Sequence, residues 1–239
     1  MKKRICALAL TLALAAGGLS LASDLKMADG HILPLGNEIT LREADKSYVG
    51  KELQKEWNRE KVEKEILPAV KRMGLFGKGD ALHEKMMAKQ LGQLFEATRF
   101  SQLQMETKEA FHQAVVMSVK LEEKDIAGWN EIIRAMEKAH PGKIDILGEN
   151  RTLNLETIRE SMKKEDGHDR FVYKKDGQTE FIYGSIFLFA EQYGVETPFY
   201  VFFIAAADKG QFGVTAIYTN QATGRIMEPV LVKGAEGLR

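Results

Sequence analysis

The stretch from Phe199 to Ala207 (FYVFFIAAA) is the sequence feature that most restricts how this chain can fold. Its nine residues carry no charge and no amide, and Asp208 and Lys209 follow directly. Nine residues are far fewer than the roughly twenty that a membrane-spanning helix needs. We therefore interpret the stretch as a β-strand and predict no stable membrane span in it.

This strand is apolar on both faces, because alternate residues of a strand point in opposite directions. Strands of this kind need a cover on each face. We expect the protein's own helices to cover the second face, with the segment around residues 49–95 as the candidate. The alternative is a groove for a small apolar ligand or a protein partner. Four tyrosines suit the rim of such a groove, since each joins an apolar ring to a polar hydroxyl: Tyr183, Tyr193, Tyr200 and Tyr218.

The N-terminus has the features of a secretory signal peptide. A basic start, Met1 to Arg4, precedes an apolar stretch from Ile5 to Ala16, and Ser20-Leu21-Ala22 offers small residues at a cleavage site. We expect cleavage after Ala22, which gives a periplasmic, cell-envelope or extracellular protein. The alternative is that the signal is retained as an anchor.

Removal of the signal leaves a chain without cysteine, because Cys6 is the single cysteine. A thiol nucleophile, a thiolate metal site and a disulfide are therefore excluded for residues 23–239. The same cleavage leaves 31 basic and 34 acidic residues. Such a balanced chain has no basic field for nucleic acid, so we expect no nucleic-acid partner.

The first half of the mature chain reads mainly as helix. Helical spacing of apolar residues occurs in residues 49–66, with Pro68 as the end or kink, and again from Ala81 to about Leu94, where Leu82, Met86, Leu91 and Leu94 are expected to face inward. A strand is expected over residues 115–122. Helices capped by Asp125 and Asn154 should follow it, with a brief strand candidate at residues 143–147 between them.

Residues 171–239 read mainly as β. Asp176-Gly177 predicts a hairpin between two strands. Pro198 is expected to begin the next strand, and Asp208-Lys209-Gly210 is expected to form a second turn at the end of that strand. Thr223-Gly224 is expected to turn again, toward a segment at residues 226–232 that we leave unclassified. We predict one α+β domain over residues 23–239, in which an antiparallel sheet of about five or six strands packs with about four or five helices.

Motifs for catalysis are incomplete in this chain. His83-Glu84-Lys85-Met86-Met87 begins like the zinc-binding HExxH helix but has Met at the second histidine position. The glycines of Gly74–Gly79 lack the spacing of a phosphate loop. The residues 166–170 form the densest polar cluster, from which His168 and Asp169 are the best candidates for a catalytic pair.

We accordingly expect no cofactor and no metal site. The sequence favours a bacterial-type exported protein that binds a ligand or partner, or serves the cell envelope structurally, rather than an enzyme. The alternative is a secreted hydrolase with a histidine and carboxylate site that the sequence alone does not assemble.

Overall fold

The computed structural model describes residues 24–43, 55, 58–77, 79–147, 152–166, 171–192 and 195–238. Nine strands occur in these ranges: β1 Asp24–Lys26, β2 Ile32–Pro34, β3 Ile39–Glu43, β4 Arg99–Glu106, β5 Phe111–Glu122, β6 Val172–Asp176, β7 Thr179–Gln192, β8 Val195–Asp208 and β9 Gln211–Asn220. Five helical segments accompany them: α1 (Arg59–Lys61, a π-helical turn Val62–Ile66, and Leu67–Met73), α2 Ala81–Ala97, α3 Glu123–Ala139, α4 Leu155–Asp166 and α5 Gln221–Glu236.

The strands form one large antiparallel sheet and one small hairpin. The large sheet has seven strands in the order β3-β4-β5-β9-β8-β7-β6, while β1 and β2 pair only with each other. The α+β prediction is confirmed, with the sheet mostly in the C-terminal part of the chain. The sheet is larger than predicted because β3 and β4 extend it on one side. Among the described residues, no helix is both long and apolar enough to cross a lipid bilayer.

Strand β8 lies near the centre of the sheet, and one of its faces forms the main core. Tyr200, Phe202, Ile204 and Ala206 are buried there, beneath α5 and the β1–β2 hairpin. Leu33 and Leu35 from the hairpin and Leu231 from α5 are fully buried in the same cluster. Burying about ten such side chains contributes roughly 1.5–3 kcal/mol each before the entropy of ordering them is subtracted.

The opposite face of β8 is also buried, as the two-sided apolar pattern predicts: Phe199 and Val201 are 7% exposed and Ala205 is fully buried. Ala205 belongs to a second apolar cluster, to which α4 contributes Leu155 and Ile158 and α3 contributes Ile126. Helix α2, which belongs to the segment around residues 49–95 that we expected as the cover, contacts β5 of the same sheet, and cover of β8 by this segment stays a prediction. Residues 49–54, 56, 57 and 78 of that segment lie outside the described residues.

The C-terminal helix α5 replaces the turn expected at Thr223-Gly224. Asn220 caps it by accepting a hydrogen bond from the Thr223 amide at 2.9 Å. Thr223, Gly224 and Pro229 all lower helix propensity, which hid the helix from local patterns. The helix is nevertheless stable in context because its buried stripe packs on the sheet: Thr223, Gly224, Met227, Leu231, Gly234 and Ala235.

Several helix boundaries differ from the predictions for local reasons. Pro68 lies within α1, where the preceding π-helical turn accommodates it, since a proline cannot donate the regular backbone hydrogen bond. Leu82 is 64% exposed rather than inward. Glu122, and not Asp125, is the N-cap of α3; Asp125 is its capping-box partner at the third helical position. Asn154 caps α4 as predicted.

Three β predictions need adjustment as well. Residues 143–147 do not form a strand: residue 143 ends a turn, and residues 144–147 are irregular with a bend at 146–147. The β6–β7 hairpin is confirmed, but its two-residue loop is Gly177-Gln178, because Asp176 pairs with Thr179. Strand β8 begins at Val195, so Pro198 lies within it instead of opening it.

Candidate functional site

A groove of about 440 Å³ lies between α2 and α3. This volume lies in the range of small-molecule sites. Helix α3 is amphipathic, so that Ile132 and Ile133 face the core while the opposite side of the helix faces the groove. We call this cavity the interhelix groove; it is lined by Gly77, Asp80, His83, Glu131, Arg134, Ala135, Lys138 and Ala139.

A carboxylate and imidazole pair borders the groove at the start of α2. Asp80 is the N-cap of that helix and accepts a hydrogen bond from the His83 amide at 3.3 Å. Nδ1 of the same histidine lies 2.8 Å from Oδ1 and 2.7 Å from Oδ2 of Asp80. The imidazole also stacks on Phe76, with 6.3 Å between ring centroids. One aspartate therefore fixes both the helix start and the orientation of the ring.

The charge around Asp80 favours its ionised form. The hydrogen bond from His83 lowers the pKa of the Asp80 carboxyl below its ordinary value, and the positive charge of Lys138 contributes in the same direction. Burial opposes this effect; its influence is smaller than that of the His83 hydrogen bond and larger than that of the Lys138 charge. The carboxylate is thus a stable negative charge at the groove, in contact with the His83 ring.

Helix α3 adds charges of both signs to the groove wall. Glu131, Arg134 and Lys138 follow one another at spacings of three and four residues, which places them on one side of the helix, and all three are exposed. The lining residues include no serine, threonine, tyrosine or cysteine. The groove can therefore pair with charged groups of a ligand, but its own walls offer no hydroxyl or thiol nucleophile.

A smaller cavity of about 220 Å³ separates α1 from α2. An ion pair spans it, with Lys71 Nζ 2.9 Å from Glu84. Both partners are substantially exposed, so the pair adds little to stability. We interpret this cavity as a gap in the packing of α1 against α2.

A second polar cluster lies beneath α5, on the main-core side of the sheet. The Ser185 hydroxyl on β7 donates a hydrogen bond to Glu228 on α5 at 2.5 Å. Tyr200 is fully buried beside them, and burial raises the pKa of its phenol, to which the Glu228 charge adds. Within the described part of the chain, the phenol oxygen has no hydrogen-bond partner of good geometry. A serine and a glutamate without an imidazole lack the proton acceptor of a triad, so we assign the cluster to helix docking.

A third polar pair belongs to the β1–β2 hairpin. Asp29 Oδ2 and His31 Nδ1 lie 3.0 Å apart, and both side chains are largely buried, at 4% and 17% exposure. The Ala28 amide donates to the Ser118 hydroxyl at 2.8 Å, and this hydroxyl contacts that of Thr215 at 2.7 Å. The polar atoms thus join the hairpin tip to β5 and β9.

The four predicted tyrosines do not lie at one place. Tyr183 and Tyr200 are buried in the main core under α5. Tyr218 is on the opposite face of the sheet, where its ring stacks on Phe199 with 4.9 Å between centroids. Tyr193 lies outside the described residues. The structure therefore brings Tyr183 and Tyr200 to one face and separates Tyr218 from them; contact of any of the four with a ligand stays a prediction.

The incomplete motifs have structural roles where they are described. Position 87 is a buried methionine in α2, so the zinc signature lacks its second ligand. His83 is half-buried, and Asp80 and Phe76 contact its ring. The candidates His168 and Asp169 lie outside the described residues. In the ranges that the structure covers, no three His, Cys, Asp or Glu side chains are grouped to hold a metal ion.

The sequence motifs included Gly77 and His83, but the sequence did not predict that these residues line a groove with α3. The apolar stripe of α3 was identifiable, and its opposite side follows directly from the helical period. The missing information was that the N-terminus of α2 lies beside this side of α3, which depends on packing between segments about fifty residues apart in the sequence.

Comparisons with known proteins give no relative for this chain. No protein-family model, no curated protein and no solved structure matches it.

Proposed function

We propose that this protein is an exported, non-catalytic binding protein of the cell envelope that holds a small polar molecule in the interhelix groove. The observation that carries the proposal is the groove itself, which has the volume of a small-molecule site and walls with charges of both signs. The signal-like N-terminus supports export.

The charge distribution supports a ligand that carries both a cationic and an anionic group. Glu131 supplies a negative charge, and Arg134 and Lys138 supply positive ones within two turns of α3. Charged partners on both sides of a ligand fix its orientation as well as its affinity. The small apolar ligand that the sheet pattern suggested fits this groove less well, because charged side chains line its walls.

Native mass spectrometry of the protein purified from its producing cells tests the proposal. We expect a population with an added small-molecule mass that is lost on denaturation. Lys138→Glu reverses one charge of the groove wall and should abolish the adduct. Lys124→Glu is the matched control, since it makes the same change in the first turn of α3, outside the groove lining.

The proposal fails if the wild-type protein carries no adduct and charged metabolites, such as free amino acids and dipeptides, leave its melting temperature unchanged. It also fails if Lys124→Glu removes the adduct as completely as Lys138→Glu, because the effect would then reflect net charge.

The hydrolase alternative has one observation in its favour, which is the Asp80–His83 pair at the groove. A carboxylate on Nδ1 holds a histidine in the orientation that a general base needs. In this alternative His83 would activate a water molecule, as the lining offers no hydroxyl or thiol nucleophile. His83→Gln distinguishes the two functions: a hydrolase loses its activity, whereas a binding protein retains its adduct with altered affinity.

A further inference from the structure

Helices α1 and α2 form a helical hairpin, and the tip of this hairpin carries exposed apolar side chains. Lys71 in the last turn of α1 contacts Glu84 in the first turn of α2, so the short connection between the helices joins neighbouring helix ends. Leu82, also in the first turn of α2, is 64% exposed, the highest value among the large hydrophobic side chains described. We call this surface the hairpin tip; it comprises Lys71, Arg72, Leu75, Phe76, Leu82 and Lys85.

The apolar side chains of the hairpin tip lie close to one another. Phe76 stacks on the ring of His83, which follows Leu82 in α2, so the connection lies against the first turn of that helix. Leu75 and Phe76 are half-buried, and Ala81 is exposed. A single exposed leucine is ordinary on a protein surface. Here the leucine extends a partly covered apolar area, which indicates a contact surface.

The charge of the hairpin tip is positive once its ion pairs are taken into account. Both nearby carboxylates have partners, since Glu84 lies 2.9 Å from Lys71 and Asp80 lies 2.7 Å from a histidine ring. Arg72 and Lys85 are exposed, and neither has an acidic partner in the part of the chain that the structure describes. Without the signal the chain carries 31 basic and 34 acidic residues, so the positive charge is local to the tip.

We propose that the hairpin tip binds the surface of a bilayer that contains anionic phospholipids. Leu82 and its apolar neighbours enter the headgroup region, where the boundary with the acyl chains takes up apolar side chains. Arg72 and Lys85 contact the lipid phosphates, and their aliphatic parts extend along the apolar area. The contact is with one face of the membrane and involves no span. This inference does not depend on the ligand of the interhelix groove.

The size of the hairpin tip favours a lipid surface over a protein partner. A stable protein interface buries about 800 Å² on each partner and uses roughly twenty or more residues there. The six residues of the tip are far fewer than this number. A bilayer surface requires no matching shape, and a few apolar and basic side chains together suffice for reversible binding to it.

Cosedimentation with lipid vesicles at low ionic strength tests the role of charge. We expect the protein recovered from its producing cells to bind vesicles of equal parts phosphatidylcholine and phosphatidylglycerol, and not vesicles of phosphatidylcholine alone. Lys85→Gln should weaken this binding about fivefold, which is the attraction that one basic residue adds at an anionic surface. Lys124→Gln is the matched control, because it removes an exposed lysine from the first turn of α3 and should bind like wild type.

A substitution of the exposed leucine tests the apolar contribution. Leu82→Ser should reduce binding to the mixed vesicles without lowering the melting temperature, because the side chain that it shortens is mostly in water. Phe111→Ser is the control, since Phe111 is 53% exposed at the start of β5, outside the hairpin tip, and should leave binding unchanged.

Three results would overturn the proposal. The first is equal binding of the wild-type protein to both kinds of vesicle, or binding to neither. The second is a loss of binding in Lys124→Gln or Phe111→Ser as large as in the variants of the tip. The third is sedimentation of the protein without vesicles that Leu82→Ser abolishes, which would assign the hairpin tip to contact with a second copy of the chain.

Discussion

At the scale of single residues, the contact of Gly224 with Tyr200 shows how tightly α5 lies on the sheet. A Cβ atom at position 224 would be 2.1 Å from Cγ of the Tyr200 ring. We predict that Gly224→Ala destabilises the protein by about 1–3 kcal/mol through overpacking, although alanine has the higher helix propensity. Urea denaturation monitored by circular dichroism measures this change.

Gly77→Ala is the control for that substitution, because a Cβ atom at position 77 would have no other atom within 4 Å and the backbone there is compatible with alanine. We expect its free energy of unfolding to stay near the wild-type value. Equal losses for the two variants would contradict the packing argument.

The Asp80–His83 pair predicts a pH dependence of stability. Because the pKa of Asp80 is lowered in the folded state, its carboxylate contributes stability above its ordinary pKa of 3.8, and this contribution is lost as the pH falls through the lowered value. Asp80→Asn preserves a capping side chain but removes the charge. We predict that the variant melts slightly below wild type near pH 6, and that the two melting temperatures converge in acid, once the pH falls below the lowered pKa of Asp80.

Differential scanning calorimetry across this pH range measures the effect. Asp176→Asn, at an exposed position of β6, serves as the control and should follow the wild-type curve. A difference between Asp80→Asn and wild type that persists unchanged in acid would show that the charge is not its cause.

Residue-level predictions from sequence succeeded where the interaction is local. Asn154 caps α4 because its side chain reaches an amide three residues along the chain. The roles of Tyr200 and Ser185 were not predictable, since both depend on Glu228 of α5, a helix that local patterns did not identify.

At the scale of elements, α5 and the β1–β2 hairpin depend on each other for their positions. A Cβ atom at position 234 would be 2.2 Å from the carbonyl oxygen of Pro34, so glycine allows the helix to lie directly on β2. We predict that Gly234→Ala displaces the hairpin, with faster amide hydrogen exchange over residues 24–35 as the measured result.

Gly237→Ala is the neighbouring control, because its Cβ would be 3.5 Å or more from other atoms, which is an ordinary contact. Unchanged exchange of the hairpin in Gly234→Ala would mean that α5 does not hold it.

The elements that the sequence predicted are those with strong local signals. The β6–β7 hairpin follows from a turn with glycine at a positive φ of 60°, and β5 from its alternating pattern. Helix α5 was missed because its weak helix formers are stabilised by burial of one stripe on the sheet, which no local window contains. The edge strand β3 was missed because it pairs with β4, about sixty residues later.

At the scale of the whole molecule, the two apolar faces of β8 predicted a layered protein, and the described residues form one. Helix α5 with the hairpin covers one face, and α3 and α4 contribute to the apolar cluster around Ala205 on the other. The strand pattern required a cover without specifying which segment provides it. For the same reason the candidate site was not predictable, since it forms where two helices from separate parts of the chain meet.

The predicted export makes a testable statement about the mature chain. We expect the product recovered from the producing cells to begin at Ser23, because Ala22 ends the small-residue cleavage pattern. N-terminal sequencing and intact mass give the answer. A product that starts at Met1 and stays with the membrane would instead indicate a retained anchor.

Hydrogen exchange of the protein as isolated, compared with the same protein after denaturation and refolding without small molecules, tests the proposed binding function most directly. We expect slower exchange in the isolated form at residues 79–85 and 131–139, the two walls of the interhelix groove, and no difference across β7 or the β1–β2 hairpin. Identical exchange of the two forms along both walls, or protection confined to another surface, would contradict the proposed function.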